Sequence, residues 1–236
     1  IKILKKLFTP DEAELTRKLK NEPETVPAIA KRIGMDEKAL GRKLEDMAQK
    51  GLIFRVRSGE KRLYQAFQFV VGLYEFQLKR LDKEFCELFE EDMPYLGANM
   101  MSVPTRQMRV IPVESSVGKG KGVAPYNQVR ELVKREKVFS VTDCICRKEQ
   151  ALLGHKCDYP SEVCLGVGDF AQFYIDNNMA RKITLEECLK LMDKAEESGL
   201  VLSPSNTQEL AAICCCCSCC CPILKFAKPA PRPADL

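Results

Sequence analysis

The 236-residue sequence predicts an α+β protein in two parts. Helical patterns followed by a hairpin pattern fill the first third of the chain. Strand and helix patterns alternate over the last hundred residues, which also hold twelve of the thirteen cysteines. Hydrophobic residues make up 45% of the chain and charged residues 30%, as expected for a folded chain with a solvated surface. No run of about 18 or more apolar residues is present, so the sequence predicts no membrane span.

The first predicted helix begins after Thr9. The Thr9 side chain can cap it, Pro10 suits the first helical position, and Glu12 completes a capping box. Two further helices are predicted over residues 25–34 and 36–51, because a capping residue opens each pattern and a glycine ends it. The first third of the chain therefore predicts three consecutive helices.

A β-hairpin is predicted to follow these helices. Its strands cover residues 53–57 and 62–67, where basic residues alternate with apolar ones. This order of helices and hairpin resembles the winged helix-turn-helix superfamily over residues 1–67. A winged-helix-like domain is accordingly predicted for residues 1–69.

DNA binding is one hypothesis for this domain, with helix 37–50 in the major groove and the hairpin on phosphates. The basic residues that it requires are Lys38, Arg42, Lys43, Arg55, Arg57, Lys61 and Arg62. However, the 16 basic residues of segment 1–67 are accompanied by 10 acidic ones. Glu37, Glu45 and Asp46 lie on or beside the same helix and would repel phosphate. Docking or dimerisation is therefore favoured over DNA binding, because a fold alone does not define a function.

Residues 70–125 are interpreted as an amphipathic helix followed by a linker. Apolar residues recur every three or four positions over 70–92, which predicts a helix packed on a core. Formation of a homodimer through this helix is the alternative. Cys86 lies beside the apolar stripe and is predicted to be a buried thiol. Segment 93–125 is rich in Pro, Gly and Met, which predicts a linker.

The first group of clustered cysteines follows a predicted strand over 138–141. In an extended chain, residues two apart point the same way, so Cys144 and Cys146 can face one metal centre. Cys157 and Cys164 complete a set of four thiolates. Four thiolates suit either a [4Fe–4S] cluster or a zinc ion with four cysteine ligands.

A second group occupies the segment Cys214–Cys221, in which seven of eight residues are cysteines. So many thiolates repel one another unless cations lie between them. Clustered thiols in a reducing compartment hold metal more often than they form disulfides. Arg147 could offset the negative charge of such a centre. Cys188 lies among apolar residues of a predicted helix over 184–197 and is predicted to be part of the core.

Several motifs occur in order along the chain. They are Met-Arg-Val-Ile-Pro-Val-Glu at 108–114, Pro-Tyr-x-Gln-Val-Arg at 125–130, Cys-x-Cys-Arg at 144–147, Cys-Asp-x-Pro-x-Glu-x-Cys-Leu at 157–165, and the cysteine run at 214–220. Together with the winged-helix-like front, they resemble a family of iron–sulfur proteins from anaerobic bacteria and archaea, described as 4Fe–4S ferredoxin-type proteins. Two differences stand out. Cys215 replaces the usual Asn, and the ferredoxin domain that follows a segment like 231–234 in that family is not part of this sequence.

The resemblance implies a cysteine-rich iron–sulfur α/β domain over residues 126–221, followed by a Pro-rich tail over 222–236. It implies one or two [4Fe–4S] clusters in a cytoplasmic electron-transfer protein, with a ferredoxin or flavoprotein as redox partner. The implied cluster ligands are Cys144, Cys146, Cys157, Cys164, Cys214, Cys216, Cys217 and Cys220. The spacing leaves open whether the two sets bind separate clusters or mix around one or two centres.

Two alternatives to electron transfer remain at this level. One is a redox- or metal-sensing transcription regulator that uses the winged helix. The other is a structural zinc protein with four cysteine ligands, because thiolate spacing suits both metals. The sequence contains no recognisable motif for a general base, a nucleophile or a nucleotide site. The chain is therefore expected to be a component of an oxidoreductase rather than a stand-alone enzyme.

Overall fold

The computed structural model describes residues 1–103, 107–108, 129–207 and 209–228. The chain divides into two compact units, Ile1–Leu81 and Asp82–Leu236. Both units contain helices and strands, which confirms the predicted mixture of the two. Within the described ranges, no helix combines the length and the apolar character needed to cross a membrane.

The first unit contains four α-helices and a three-stranded antiparallel sheet. The elements are α1 (Lys2–Leu7), α2 (Pro10–Arg17), β1 (Glu24–Thr25), α3 (Val26–Ile33), α4 (Glu37–Gln49), β2 (Phe54–Ser58) and β3 (Lys61–Gln65). The predicted capping box is present, because Thr9 accepts from the Glu12 N–H and the Glu12 carboxylate accepts from the Thr9 N–H. The three predicted helices and the hairpin are confirmed, whereas the sequence prediction did not include α1 and β1.

Helix α4 packs its apolar face into the core of this unit. Leu40, Leu44 and Met47 are fully buried, as their spacing predicts. Asp36 caps the helix by accepting from the Ala39 N–H at 2.8 Å. The sheet has the order β1-β3-β2, with Val56 opposite Leu63 in the hairpin.

Glu45 joins α4 to the hairpin through three side chains. It is hydrogen-bonded by Tyr64 at 2.8 Å and forms ion pairs with Arg55 and Arg62. Burial alone would raise the pKa of Glu45, but the Tyr64 hydrogen bond and the two arginine charges lower it below its ordinary value. The Arg55 side chain is only 3% exposed, so this residue is not on a surface that could contact phosphates. The predicted contribution of Arg55 to a DNA-binding surface is therefore wrong.

Substitution Glu45→Ala is expected to destabilise the first unit by about 3 kcal/mol, because it removes the carboxylate that compensates a buried guanidinium. Hydrogen exchange of the amides of α4 and β2 in the full chain measures this effect. The matched control is Glu14→Ala, since Glu14 is half-exposed and pairs with Arg17 and Lys18 on the surface. The control should cost no more than about 0.5 kcal/mol. Equal losses in both variants would show that Glu45 acts as an ordinary surface residue.

The predicted helix over 70–92 is wrong. The backbone is non-helical at residues 70–72, a 3-10 helix covers Glu75–Arg80, and the chain is extended at Leu81. A new helix, α5 (Lys83–Ser102), begins where Asp82 accepts from the Phe85 N–H at 2.7 Å. It continues past Pro94, so its last ten residues lie in the predicted linker. The rest of that linker from 109 onward, and the tail from 229 onward, lie outside the described residues.

The second unit is built on a five-stranded antiparallel sheet with the order β6-β4-β5-β8-β7. The strands are β4 (Phe139–Asp143), β5 (Glu162–Val167), β6 (Arg181–Ile183), β7 (Val201–Pro204) and β8 (Ala212–Cys216). The helices after α5 are α6 (Val129–Val133), α7 (Ile145–Leu152), α8 (Gly168–Asp176), α9 (Leu185–Glu197) and α10 (Pro222–Ala227). The predicted strand after 138 is confirmed as β4, and the predicted helix over 184–197 as α9.

The sheet of the second unit separates two layers. On one face, Val141, Leu165 and Ile213 join a buried cluster with Cys188 and Met192 of α9. On the other face, α8 packs so closely that a Cβ on Gly166 would lie 3.2 Å from the Ala171 backbone. Alternating residues of β5 and β8 therefore belong to different layers, and this alternation decides where the cysteines of those strands lie.

Candidate metal centre

Four cysteine sulfurs converge at one end of the second sheet. The Sγ atoms of Cys157, Cys217, Cys219 and Cys220 all lie within 4.8 Å of one another. Cys157 Sγ is 3.9 Å from Cys217 Sγ and 3.7 Å from Cys219 Sγ, and Cys219 Sγ is 3.8 Å from Cys220 Sγ. We call these four residues the thiol group. It is the one set of closely spaced metal-binding side chains found in the described ranges.

Two segments that are distant in sequence bring the thiol group together. Helix α7 ends near Gly154, whose φ of +89° allows the sharp reversal that leads to Cys157. The other three cysteines follow β8 in a turn, closed where the Cys221 N–H donates to the Cys217 carbonyl at 3.0 Å. Cys221 then caps α10, in which Pro222 occupies the first turn. A compact turn directs successive side chains toward one point, which a straight strand cannot do.

A buried arginine ties these two segments to each other. Arg147 donates to the carbonyl of Pro160 at 2.8 Å and to the carbonyl of Cys215 at 2.9 Å. It is 4% exposed, and it also hydrogen-bonds the Cys217 sulfur. No carboxylate of the described residues forms an ion pair with it, and its Nε–H is buried without an acceptor. The positive charge therefore has sulfur atoms, carbonyls and the ring of Tyr159, whose centroid is 6.0 Å away, as neighbours instead of a carboxylate.

The cysteines near this arginine differ in the direction of their pKa shifts. Hydrogen bonding from Cys146 lowers the pKa of Cys144 to about 6; burial opposes this shift and the charge of Arg147 adds to it. Burial would raise the pKa of Cys217, but hydrogen bonding from Cys219 and the Arg147 charge lower it overall. Burial raises the pKa of Cys219 to about 11. Anionic sulfur is thus favoured at the two positions next to the guanidinium.

The local geometry predicted for Cys144 and Cys146 is wrong. The pair does not lie in an extended segment, because Cys144 is the residue before α7 and Cys146 lies in its first turn. The Cys144 N–H donates to the Ser161 carbonyl at 2.7 Å, which ends β4 and turns the chain into the helix. The two sulfurs are nevertheless in contact, since Cys146 hydrogen-bonds Cys144. Both side chains pack against the same buried cluster that contains Cys217 and Cys220.

Other cysteines lie on the opposite face of the sheet. Cys164 of β5 stands opposite Cys214 of β8, so their side chains share the face that α8 covers. Cys216 lies two residues further on the same face and hydrogen-bonds both Cys214 and Cys221. Cys215, between them, points into the buried cluster on the other face. The strand thus divides the terminal cysteine run between two layers.

The structure therefore distributes the predicted ligands over three places. Cys157, Cys217 and Cys220 are in the thiol group, Cys144 and Cys146 contact each other and pack on the buried cluster, and the others occupy the opposite face. Cys219 belongs to the thiol group but was not among the predicted ligands. Pro222 was the available signal, because a proline that opens a helix implies a turn just before it. Cys86 and Cys188 are both fully buried, as predicted.

No protein-family model, curated protein or solved structure matches this chain. The resemblance to ferredoxin-type proteins therefore stays a prediction.

The thiol group has the composition of a metal site. Four thiolates around one tetrahedral ion, with metal–sulfur bonds of about 2.3 Å, stand about 3.8 Å apart. Three of the six sulfur–sulfur separations, at 3.7–3.9 Å, match that spacing, and the other three are no longer than 4.8 Å. In a [4Fe–4S] cluster each thiolate binds a different iron, so the same four sulfurs would have to move apart. The group can hold a metal ion as it stands.

Proposed function

We propose that this chain is an iron–sulfur protein that transfers electrons. The cluster ligands would come from the thiol group and from the neighbouring cysteines at the same end of the sheet. When bound, a [4Fe–4S] cluster supplies one-electron transfer, and its potential depends on nearby charge, hydrogen bonds to sulfur and solvent exposure. The protein residues hold the sulfurs, exclude water from most of them and provide the compensating positive charge.

The buried guanidinium of Arg147 is the observation that carries this proposal. A buried cation is costly unless an anion lies beside it, and here the candidate anions are sulfur atoms. Neutral thiols would leave the charge uncompensated, whereas thiolates bound to metal would neutralise it. The arginine thus fits a site that holds anionic sulfur permanently.

The number of cysteines favours iron–sulfur chemistry over a single zinc ion. Apart from Cys86 and Cys188, eleven of the thirteen cysteines lie in or next to the strands and turns around the site. A structural zinc ion uses four thiolates and leaves the other seven without a role. Multinuclear clusters with separate ligand sets would use more of them.

A structural zinc site is the second candidate, and the sulfur–sulfur separations favour it. Distances of 3.7–3.9 Å suit one tetrahedral ion without movement of the turn. In that case the metal would stabilise the second unit and carry no electrons. A DNA-binding regulator receives less support, since Glu45 engages two of the arginines that would contact phosphate.

Anaerobic purification followed by iron, sulfide and zinc analysis is expected to give iron with an equal amount of sulfide. The protein should absorb broadly near ~400 nm and give an EPR signal after reduction with dithionite. Removal of the metal by a chelator should then increase hydrogen exchange in the second unit and leave the first unit unchanged. A colourless protein with one zinc ion and no sulfide would refute electron transfer and support the second candidate.

A further inference from the structure

A cavity of about 660 Å³ opens beside the thiol group in the second unit. Cys219 and Cys220 form one side of it, and His155 and Lys156 of the loop after α7 form another. Lys225 of α10 and Glu90 of α5 complete the wall. This volume lies within the range of sites for small organic ligands and far exceeds that of a single inorganic ion.

The charged groups of the wall favour an anionic ligand. The Glu90 carboxylate accepts from the Gln150 amide at 2.6 Å, and Lys225 donates to the oxygen of that amide at 3.3 Å. Within the described part of the chain, Lys225 forms no ion pair. Lys156 lies 3.2 Å from Asp158, but both side chains are more than 80% exposed, so this pair screens the lysine only weakly. Two ammonium groups therefore face the cavity, and its negative charges are the Glu90 carboxylate and, when metal is bound, the thiolates of Cys219 and Cys220.

The position of the cavity places a ligand next to the metal centre. Cys219 is the exposed member of the thiol group, whereas Cys217 and Cys220 are buried. A molecule in the cavity would therefore meet the most exposed cysteine of the thiol group, since Cys157 is half-buried and does not line the cavity. We propose that this cavity binds a small organic molecule with a carboxylate or phosphate group. Lys225 and Lys156 hold the anionic group, and the rest of the molecule lies next to Cys219. The binding itself rests on the cavity, and its link to electron transfer rests on the proposed function.

Titration calorimetry of the metal-loaded full chain tests this proposal. The probes are glutarate and glycerol 3-phosphate, with glutaramide and glycerol as their neutral counterparts. At least one anion should bind with millimolar or tighter affinity, more weakly at high salt, and the neutral compounds should not bind. The bound anion should also perturb the visible absorption of the centre, because it lies against a ligand sulfur.

Variants separate the cavity from general surface charge. Lys225→Met should weaken anion binding roughly tenfold, since it removes a charge-assisted hydrogen bond. Lys182→Met, at an exposed position of β6, is the matched control. This variant should bind the anion as tightly as the parent does. Absence of binding by both anions, equal binding of the neutral compounds, or equal losses in both variants would overturn the proposal.

The same preparations distinguish this proposal from the proposed function. Protein that contains iron and sulfide but binds neither anion would refute the ligand site and leave electron transfer standing. Protein that binds an anion through Lys225 but contains no iron would refute electron transfer and leave the ligand site standing.

Discussion

Substitution Cys157→Ser is expected to abolish metal binding and to unfold the cysteine-rich end of the second unit. Cys157 is the one member of the thiol group outside the terminal run, and it lies 60 residues from Cys217 in sequence. Its bond to the metal would therefore close a long loop between α7 and β8. Binding free energies for structural metal sites reach about 10 kcal/mol and count directly as folding free energy. Metal content and hydrogen exchange of the purified variant measure the loss.

Cys188→Ala is the matched control for this variant. Cys188 is a fully buried cysteine of the same unit that lies within the apolar cluster. Its replacement should leave the metal content unchanged and cost only about 1 kcal/mol of packing. Loss of metal from both variants to the same extent would mean that Cys157 acts through stability alone.

Thiol alkylation of the unmodified chain gives an independent test, should Cys157→Ser fail to fold. With metal bound, alkylation of Cys157 and Cys219 should be slow, because metal-bound thiolates are protected. After removal of the metal both should react faster than in the loaded protein, whereas the buried Cys86 and Cys188 should stay protected in each state. Equal reactivity of Cys219 with and without metal would contradict its assignment as a ligand.

Sequence patterns predicted the first unit more completely than the second. The helices after Thr9 and Asp36 begin with side-chain caps. In each cap, the side chain accepts from an amide only three residues further along the chain, so the signal is local. The hairpin likewise depends on local alternation and a short turn. The failure at 70–92 has a local cause that hydrophobic periodicity does not detect, because Asp82 caps a new helix inside an apolar pattern. Apolar spacing alone cannot distinguish one continuous helix from two short segments in sequence.

The candidate site was predictable in composition but not in arrangement. The clustered cysteines predict a metal site, yet which of them converge depends on strand pairing and on the turn after β8. Cys164 and Cys214 lie opposite each other because β5 and β8 pair in a particular register, which no local pattern specifies. Cys219 joins the thiol group because residues 218–220 form a turn, whereas the predicted ligands are those that the family resemblance implies.

Substitution Arg147→Met is expected to lower the midpoint potential of the iron-loaded protein by about 100 mV. Reduction adds negative charge to the centre, and a nearby positive charge stabilises the reduced state. A unit charge about 5–8 Å away contributes roughly 2–3 kcal/mol at an effective dielectric constant near 20. Arg147 also bonds the carbonyls of Pro160 and Cys215, so the variant should lose stability as well. Anaerobic redox titration monitored by EPR measures the potential.

Arg147→Lys separates charge from structure. Lysine keeps the positive charge but cannot donate to both carbonyls at once, because its ammonium group lacks the planar fork of arginine. This variant should therefore lose stability while its potential stays close to that of the parent. Arg181→Met is the control for a surface charge that is already paired, since Arg181 is half-exposed and forms ion pairs with Glu162 and Glu187. It should leave the potential nearly unchanged.

The comparison between these three variants decides what the buried guanidinium does. If Arg147 only joins α7 to β8, the methionine and lysine variants should lose stability with no difference in potential. If its charge compensates metal-bound thiolates, the potential should fall in the methionine variant and be retained with lysine. The second outcome would show that Arg147, a buried cation with no carboxylate partner among the described residues, sets the potential of an electron-carrying centre. It would also explain why this position tolerates the cost of burying a charge.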